Sequence, residues 1–314
     1  MEVKKKMNRI YGVIGIKSKM ANWNADFTGR PKMTSNGDIF GSDKAFKYPI
    51  KKMWESEEKD AKVLYVKSYK TDNKGNLQAR TLAERFEQLF GKNVKEIKDK
   101  KEILKLLFSA IDVKNFGATF AEGSNNISIT GAVQIGQGLN KYEDSTIETQ
   151  DILSPFVDAT KKDTAQNTSI GKKIVSDEAH YFYPFAVNPE NYNIYTNEIE
   201  DLEGYTREDY EKFKRGCLYA ATAYNTNSKM GCENEFAIFV ECKEGSKLYL
   251  ANLDQYIEFK KQEDKKDIID ISELHEILAQ ENVKSQIEKI EIYYNSYTTE
   301  LVGTREDDIV KELF

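Results

Sequence analysis

The chain has 314 residues and a formal net charge of −6, with 39% apolar and 31% charged residues. This length allows one large domain or two, with a sizeable hydrophobic core. No run of roughly eighteen apolar residues occurs, and the N-terminus lacks a long apolar stretch followed by a small-residue cleavage site. We therefore expect a cytoplasmic protein without a membrane partner. Cys217, Cys232 and Cys242 never stand in C-x-x-C spacing, which disfavours a zinc ribbon or a disulfide framework.

Charge is distributed unevenly along the chain. The first 54 residues contain twelve Lys or Arg and four Asp or Glu, which gives them a net charge of +8, whereas the remaining 260 residues carry −14. Solubility needs only scattered charge, while a basic segment in an acidic protein is typical of a surface that touches a polyanion. Nucleic acid is the polyanion that we expect.

The first predicted element is a strand over NRIYGVIGI, residues 8–16. Its apolar residues alternate onto both faces, which predicts a strand in the middle of its sheet. They are Ile10, Ile14 and Ile16 on one side and Tyr11 and Val13 on the other. The turn-rich passage that follows, residues 22–41, is longer than an ordinary connection and predicts a functional excursion from the core.

A basic helix is predicted after this loop. Ser42 is a suitable first residue, and helical spacing places Lys44, Lys47 and Lys51 on one face, next to an apolar face. Pro49 cannot donate a helical hydrogen bond, so we expect a kink or a restart there.

The middle of the chain alternates strand and helix patterns. VLYVKSYK, residues 63–70, predicts a strand, and TDNKGN after it a turn. Asp99 is expected to cap a helix with Glu102 as capping-box partner and an apolar stripe that extends to Ile111. NISITGAVQI, residues 126–135, alternates cleanly and predicts one half-exposed antiparallel strand.

The second half of the chain continues this alternation. YFYPFAV, residues 181–187, predicts a strand, and Thr206 with Asp209 as capping partner begins a helix. A further strand is predicted over residues 235–242 and a helix over residues 271–280. This order of elements indicates an α+β protein with a ferredoxin-like or RRM-like sheet.

The passage NWNADFTGRPKMTSNGDIFGSDKAFKYPIKKMW resembles the backbone subunits of type I CRISPR surveillance complexes, or Cascade, in their subtype I-B form, which belong to the RAMP superfamily. FGATFAEGSNNISITGAVQIGQG carries the same resemblance, and TSIGKKIVSDEAHYFYPFAVNP carries it more weakly. The resemblance implies a single RRM-like palm over residues 1–314, a basic finger or loop insertion over residues 20–61 and a thumb hairpin over residues 140–182.

The resemblance also implies what the protein does. Family members are non-catalytic crRNA-binding subunits that oligomerise along the guide RNA and support recognition of target DNA. The implied partners are crRNA, the target DNA strand paired to the guide, further copies of this chain, other Cascade subunits and a separately recruited helicase-nuclease. No cofactor or metal is implied.

The residues expected to bind RNA are basic or carry amides. Lys and Arg neutralise phosphates irrespective of sequence, and Asn can bond to 2′-hydroxyls and phosphates, which favours RNA over DNA. On this ground the interface comprises Lys17, Lys19, Asn22, Asn24, Arg30, Lys32, Lys44, Lys47 and Lys51. The thumb pattern of the family adds Ile170 as an apolar wedge between bases, together with Lys172 and Lys173. For any one lysine alone, a solvated surface position is the alternative.

Patterns typical of catalysis are sparse. His180 and His275 stand far apart in unlike contexts, and no P-loop or dinucleotide fingerprint occurs. Type III relatives cleave RNA with an acidic residue in the loop after the first strand, so the alternative is a ribonuclease of that kind using Asp26. A metabolic α+β enzyme is a third hypothesis that no residue supports. We expect no enzyme, because a solitary Asp in a basic loop is usually a turn or pairing residue.

Overall fold

The structure is a computed structural model that describes residues 5, 8–123, 125–153 and 169–314. The strands are β1 (Ile10–Ala21), β2 (Phe40–Gly41), β3 (Tyr69–Thr71), β4 (Leu77–Ala79), β5 (Gly117–Glu122), β6 (Asn125–Thr130), β7 (Val133–Ile135), β8 (Gly138–Asn140), β9 (Ile147–Leu153), β10 (Ser169–Val187), β11 (Cys232–Cys242), β12 (Glu258–Lys260), β13 (Asp267–Asp270), β14 (Ile287–Tyr294), β15 (Thr299–Val302) and β16 (Ile309–Glu312). The helices are α1 (Asp43–Glu57), α2 (Leu82–Phe90), α3 (Lys100–Phe108), α4 (Ile111–Phe116), α5 (Asn193–Thr196), α6 (Arg207–Ala223), α7 (Ser272–Leu278) and α8 (Glu281–Lys284).

A mixed sheet forms the centre of the protein in the order β16-β14-β11-β1-β10-β8-β2, with β7 and β9 also paired to β10. The expectation that the first strand is central is confirmed, because β1 lies antiparallel between β10 and β11. Its Ile10, Ile14 and Ile16 side chains enter one hydrophobic core, and Val13 enters a second core on the opposite face.

Each face of the central strands is covered. The core that contains Ile14 is built with α1, α3, α4 and α6. The core that contains Val13 is built with the chain after β11, here called the C-terminal segment, which contributes Leu253, Ile269 and Leu274. An ordinary RRM binds RNA on an open face of its sheet. Neither face of these central strands is open for that mode of binding. Among the helices of the described residues, none is both long and apolar enough to cross a membrane.

Helix α1 begins as predicted but is not interrupted at Pro49. The Ser42 hydroxyl accepts a hydrogen bond from the Ala45 N–H at 3.3 Å, which caps the helix. The predicted restart at Pro49 is wrong, because one helix runs through it to Glu57. Burial of Phe46 and Ile50 on either side of the proline outweighs the lost hydrogen bond, since burying one large apolar side chain stabilises by about 1.5–3 kcal/mol.

The strand predicted over residues 63–70 is wrong for most of its length. Val63, Leu64 and Tyr65 form no ladder, and only Tyr69–Thr71 is a strand, joined to β4 by the predicted turn. The backbone N–H groups of Leu64 and Tyr65 instead donate to the carboxylate of Asp112, at 2.8 and 2.7 Å. A remote side chain thus replaces the neighbouring strand as hydrogen-bond acceptor.

The alternating pattern of residues 126–135 is confirmed in burial but divides between two sheets. Ile127 and Ile129 belong to β6, which pairs with β5, whereas Val133 and Ile135 belong to β7, which pairs with β10. The break falls at Gly131, where an added Cβ would lie 2.3 Å from the backbone of Phe116. This close approach lets the chain pass from one sheet to the other.

The helix ends follow the predicted capping residues with one exception. Thr206 and Asp209 form the predicted capping box of α6. Asp99 accepts from the Lys101 N–H at 2.8 Å and caps α3, but Glu102 pairs with Lys92 and does not complete a box. The α3 helix ends at Phe108, so the predicted stripe is split and Ile111 begins α4. The helix predicted over residues 271–280 is shorter, Ser272–Leu278.

Strand β10 spans 19 residues and belongs to two structures at once. From Ser176 onwards it pairs with β1 in the central sheet, and before Ser176 it pairs with β9. The β9–β10 hairpin therefore extends past the end of β1. Residues 154–168, between its two strands, lie outside the described residues.

Candidate nucleic-acid interface

Two asparagine side chains fix the loop of residues 22–41. The Asn22 amide donates to the carbonyl oxygens of Gly29 and Ile174, both at 3.0 Å, and thereby ties the loop to β10. The Asn24 carbonyl oxygen accepts from the Ser42 N–H at 2.8 Å, which ties the loop to the start of α1. Both amides were predicted to contact RNA, but the structure uses them within the protein.

Lys229 supports the same loop and was missed in the sequence. Its ammonium group donates to the carbonyl oxygens of Asn22, at 2.7 Å, and Trp23, and lies 5.5 Å from the centre of the Trp23 ring. Burial lowers the pKa of Lys229. No local pattern marks this residue, because its partners lie more than 200 positions earlier in the chain.

Asp26 organises the tip of the loop. One carboxylate oxygen accepts from the Thr28 N–H at 2.8 Å, the Thr28 hydroxyl at 2.7 Å and the Arg30 N–H at 3.0 Å. The Thr28 hydroxyl is the main cause that lowers the pKa of Asp26. The carboxylate therefore acts as the acceptor of a tight turn, which leaves the Phe27 side chain fully exposed at its tip.

The basic groups around this loop are mostly unpaired. Among the described residues, no carboxylate lies within 4.0 Å of the charged nitrogen atoms of six of the predicted RNA-binding residues. They are Lys19, Arg30, Lys32, Lys44, Lys172 and Lys173. At these positions no acidic side chain of the described residues competes with a phosphate ligand.

Lys17 has a different environment. Its ammonium nitrogen lies 3.9 Å from both Glu178 and Asp267, and its side chain is largely buried. Lys261 contacts the same two carboxylates at 2.7 and 3.1 Å. The structure thus separates Lys17 from the unpaired cations and places it in a neutralised cluster.

The same cluster contains a group of potential metal ligands. Ligand atoms of Glu178, His180 and Asp267 lie within 4.8 Å of one another. The ammonium groups of Lys17 and Lys261 already neutralise the two carboxylates. These contacts fit a structural ion-pair network better than a metal centre.

The three predicted lysines of α1 do share one face and line one cavity. This cavity has a volume of about 450 Å³ and lies between α1, the segment around Tyr65 and strand β5. Lys44 is exposed, Lys47 pairs with Asp43 at 3.0 Å, and Lys51 donates to the Tyr65 carbonyl at 3.0 Å. Burial lowers the pKa of Lys51.

The predicted thumb residues lie on the outer part of β10. Lys172 is exposed and opposite Asp151 of β9, and Lys173 is opposite Gln150. The ladder register shifts between Ser169 and Gly171. The side chain of Ile170, the predicted wedge, lies outside the described residues.

Comparison with known proteins identifies the family. No curated protein matches the sequence. A chain of a structure described as "CRISPR RNA-guided surveillance complex, pre-nicking" is 14% identical, with a TM-score of 0.53 over 97% of this chain and 96% of that one. A chain of a second "CRISPR RNA-guided surveillance complex" is also 14% identical, with a TM-score of 0.45 over 95% of each chain. The family model described as "CRISPR-associated protein Cas7" matches residues 8–279, most of the chain. The protein belongs to the CRISPR-associated protein Cas7 family.

Proposed function

We propose that this chain is a non-catalytic crRNA-binding backbone subunit of a type I CRISPR interference complex. Family membership and the structural similarity to a chain of a guide-dependent surveillance complex support the class of protein. The observation that carries RNA binding is the set of unpaired cations along the loop of residues 22–41 and α1, in a chain whose net charge is negative. A guide holder needs phosphate contacts that do not depend on base sequence.

The proposed palm consists of β1, β10 and β11, of β7 and β8, which each pair with β10, and of α1 and α6. The sheet order is β11-β1-β10-β8 with antiparallel neighbours. Along the chain, α1 lies between β1 and β8, and α6 lies between β10 and β11, so these elements follow the βαββαβ order of a ferredoxin-like or RRM-like unit. In this scheme residues 20–61 are the basic finger or loop insertion. Residues 140–182, which include the β9–β10 hairpin, are the thumb.

The proposed RNA contacts fall into two groups. Lys19, Arg30, Lys32, Lys44, Lys47 and Lys51 contact phosphates from the palm side. Lys172 and Lys173 contact the same strand from the thumb, with Ile170 as the apolar wedge. Lys17, Asn22 and Asn24 are now assigned supporting roles, because their polar groups are engaged within the protein.

In this proposal, copies of the chain assemble head to tail along one guide. Each contact joins two different surfaces of neighbouring copies, so the array can continue to grow. Base pairing between guide and target DNA reads the sequence, while the protein holds backbone and shape. Other Cascade subunits end the array, and a separate helicase-nuclease cuts. The ribonuclease alternative gains no support, since the Asp26 carboxylate is engaged in its own turn.

Filter binding of single-stranded RNA at several salt concentrations tests this function. We expect affinity without sequence preference that falls steeply with salt, because the contacts are with phosphates. A salt response close to zero, or a strong dependence on base sequence, contradicts the proposal.

A further inference from the structure

The walls of the cavity beside α1 are held in place by hydrogen bonds and ring contacts within the protein. The Asp112 carboxylate holds the segment of Leu64 and Tyr65 through two backbone N–H groups, and the Tyr65 hydroxyl donates to the Thr119 carbonyl at 2.8 Å. The Phe116 ring, which also lines the cavity, stacks on Trp54 with ring centroids 5.6 Å apart. These contacts fix the walls, and the volume of about 450 Å³ is typical of a small-molecule pocket.

The chemistry of the walls differs from one side to the other. Lys44, Lys47 and Lys51 line the α1 side, while Phe116, Ala118 and Ile129 supply an apolar side. The Tyr48 and Tyr65 side chains also line the cavity. A ligand that fits both sides carries an anionic group and a flat apolar body.

Lys51 has more hydrogen-bond donors than its contact with Tyr65 uses. An ammonium group has three donors, and the hydrogen bond described for Lys51 is the one to the Tyr65 carbonyl. Among the described residues no carboxylate lies within 4.0 Å of it, although the side chain is largely buried. Partly buried ammonium groups are costly without an anionic partner. The lining carries three ammonium groups against two carboxylates, and Asp43 is already paired with Lys47.

We propose that this cavity binds one nucleotide unit, with its phosphate at Lys44 and Lys51 and its base between the aromatic side chains and Ala118. Aromatic faces stack on every base with little preference, which suits a protein that accepts any guide sequence. The inference deepens the proposed function, on which it rests for the view that the nucleotide is part of the guide RNA. A free nucleotide has the same chemistry and is the second possible source.

Calorimetric titration of the full chain with AMP, UMP, adenosine and inorganic phosphate tests the site itself. We expect both nucleotides to bind more tightly than adenosine or phosphate. Thr119→Trp, at an exposed position that lines the cavity, should weaken AMP binding at least tenfold. Ala121→Trp is the matched control, because Ala121 is exposed on the same face of β5 and outside the lining. Its AMP affinity should equal that of the parent.

Lys51→Met provides a second variant that keeps the cavity shape and removes the ammonium group. Its affinity for AMP should fall to that of adenosine. Equal binding of phosphate and AMP by the parent, or an unchanged AMP affinity in both Thr119→Trp and Lys51→Met, overturns the proposal. A third outcome also overturns the proposal. If the parent binds no nucleotide, and Thr119→Trp without RNA loses the self-association of the parent, the cavity binds a protein segment instead.

RNA that carries 2-aminopurine distinguishes the two sources. If the guide supplies the nucleotide, parent and Ala121→Trp change the fluorescence of the label, whereas Thr119→Trp binds the RNA within about threefold and leaves the fluorescence unchanged. AMP binding without any effect of Thr119→Trp on the labelled RNA supports a site for free nucleotide. RNA affinity of the parent is measured separately, so a failure of the proposed function would appear there while AMP binding persists.

Discussion

The imidazole of His180 stacks on the ring of Phe259, with the two ring centroids 3.8 Å apart. His180 belongs to β10, and Phe259 belongs to β12 of the C-terminal segment. Both ring nitrogens of His180 face carboxylates, Nδ1 at 2.8 Å from Glu235 and Nε2 at 3.3 Å from Glu178. The contact therefore joins the C-terminal segment to the central sheet through a buried charged network.

This network predicts a pH-dependent stability. Burial lowers the pKa of His180, but the carboxylates of Glu235 and Glu178 outweigh it and raise the pKa above its ordinary 6.5. The stability that the imidazolium contributes is thus fully present below pH 6.5 and is lost as pH rises through the raised pKa. The hydrogen bond from His180 is the main cause that lowers the pKa of Glu178 to about 2, so its contribution is present above pH 4.5 and is lost as pH falls towards 2.

Urea denaturation measured at pH values from about 5 to about 9, in steps of about one pH unit, tests this dependence. The free energy of unfolding of the parent should fall as His180 deprotonates, and His180→Gln should show a flatter profile. A variant with the same slope as the parent would assign the pH dependence to another group.

The second prediction concerns the lysines at the mouth of the cavity. Lys44→Ala/Lys47→Ala should weaken binding of single-stranded RNA and reduce the slope of log K against log salt by about 1.4, taking about 0.7 for each lost phosphate contact. Lys100→Ala/Lys105→Ala, on the exposed face of α3, is the matched control and should leave the slope unchanged. Equal slopes for both double variants would show that the α1 lysines are a solvated face.

The third prediction concerns Gly41, at the base of the basic loop. A Cβ there would lie 1.8 Å from the Tyr183 hydroxyl, which accepts a hydrogen bond from the Trp23 indole N–H at 2.6 Å. Gly41→Ala should therefore lower the free energy of unfolding by roughly 3 kcal/mol, the range of overpacked cores. Gly171→Ala is the control, since its added Cβ has no atom of the described residues within 4 Å, apart from its own chain neighbours. A chemical denaturation curve of Gly41→Ala that matches the parent would contradict the packing described.

The fourth prediction concerns the β9–β10 hairpin. Deleting residues 164–173 should leave a folded chain, because the ladder between β10 and β1 begins only at Ser176. The variant should bind RNA weakly and form no regularly spaced array in electron micrographs, whereas Ile170→Gly should have a milder effect. Arrays equal to those of the parent would show that this hairpin is not the thumb.

The sequence predicted those elements whose determinants are local. The two-sided apolar pattern identified β1, and Ser42, Thr206 and Asp209 marked helix starts, because capping acts within three residues. The segment of Leu64 and Tyr65 was mistaken for a strand because its hydrogen-bond acceptor, Asp112, lies nearly 50 residues later. No periodicity can reveal such a partner.

The same distinction between local and distant determinants explains which parts of the candidate site could be predicted. Helical spacing was enough to place Lys44, Lys47 and Lys51 on one face of α1. The pairing of Lys17 with Glu178 and Asp267 could not be predicted, because Glu178 lies on β10 and Asp267 on β13, both far from Lys17 along the chain. The cavity beside α1 was also missed, since its opposite wall comes from β5.

The continuity of β10 makes the length of the hairpin depend on a residue count. One strand runs from the central sheet into the hairpin, so the length of the described β9–β10 ladder is set by the number of β10 residues before Ser176. Inserting two residues into β10 and two into β9 would lengthen it by about 6.6 Å and keep every side chain on its original face, whereas inserting one would reverse them. Where neighbouring copies are in contact through this hairpin, their spacing is thereby encoded in a residue count.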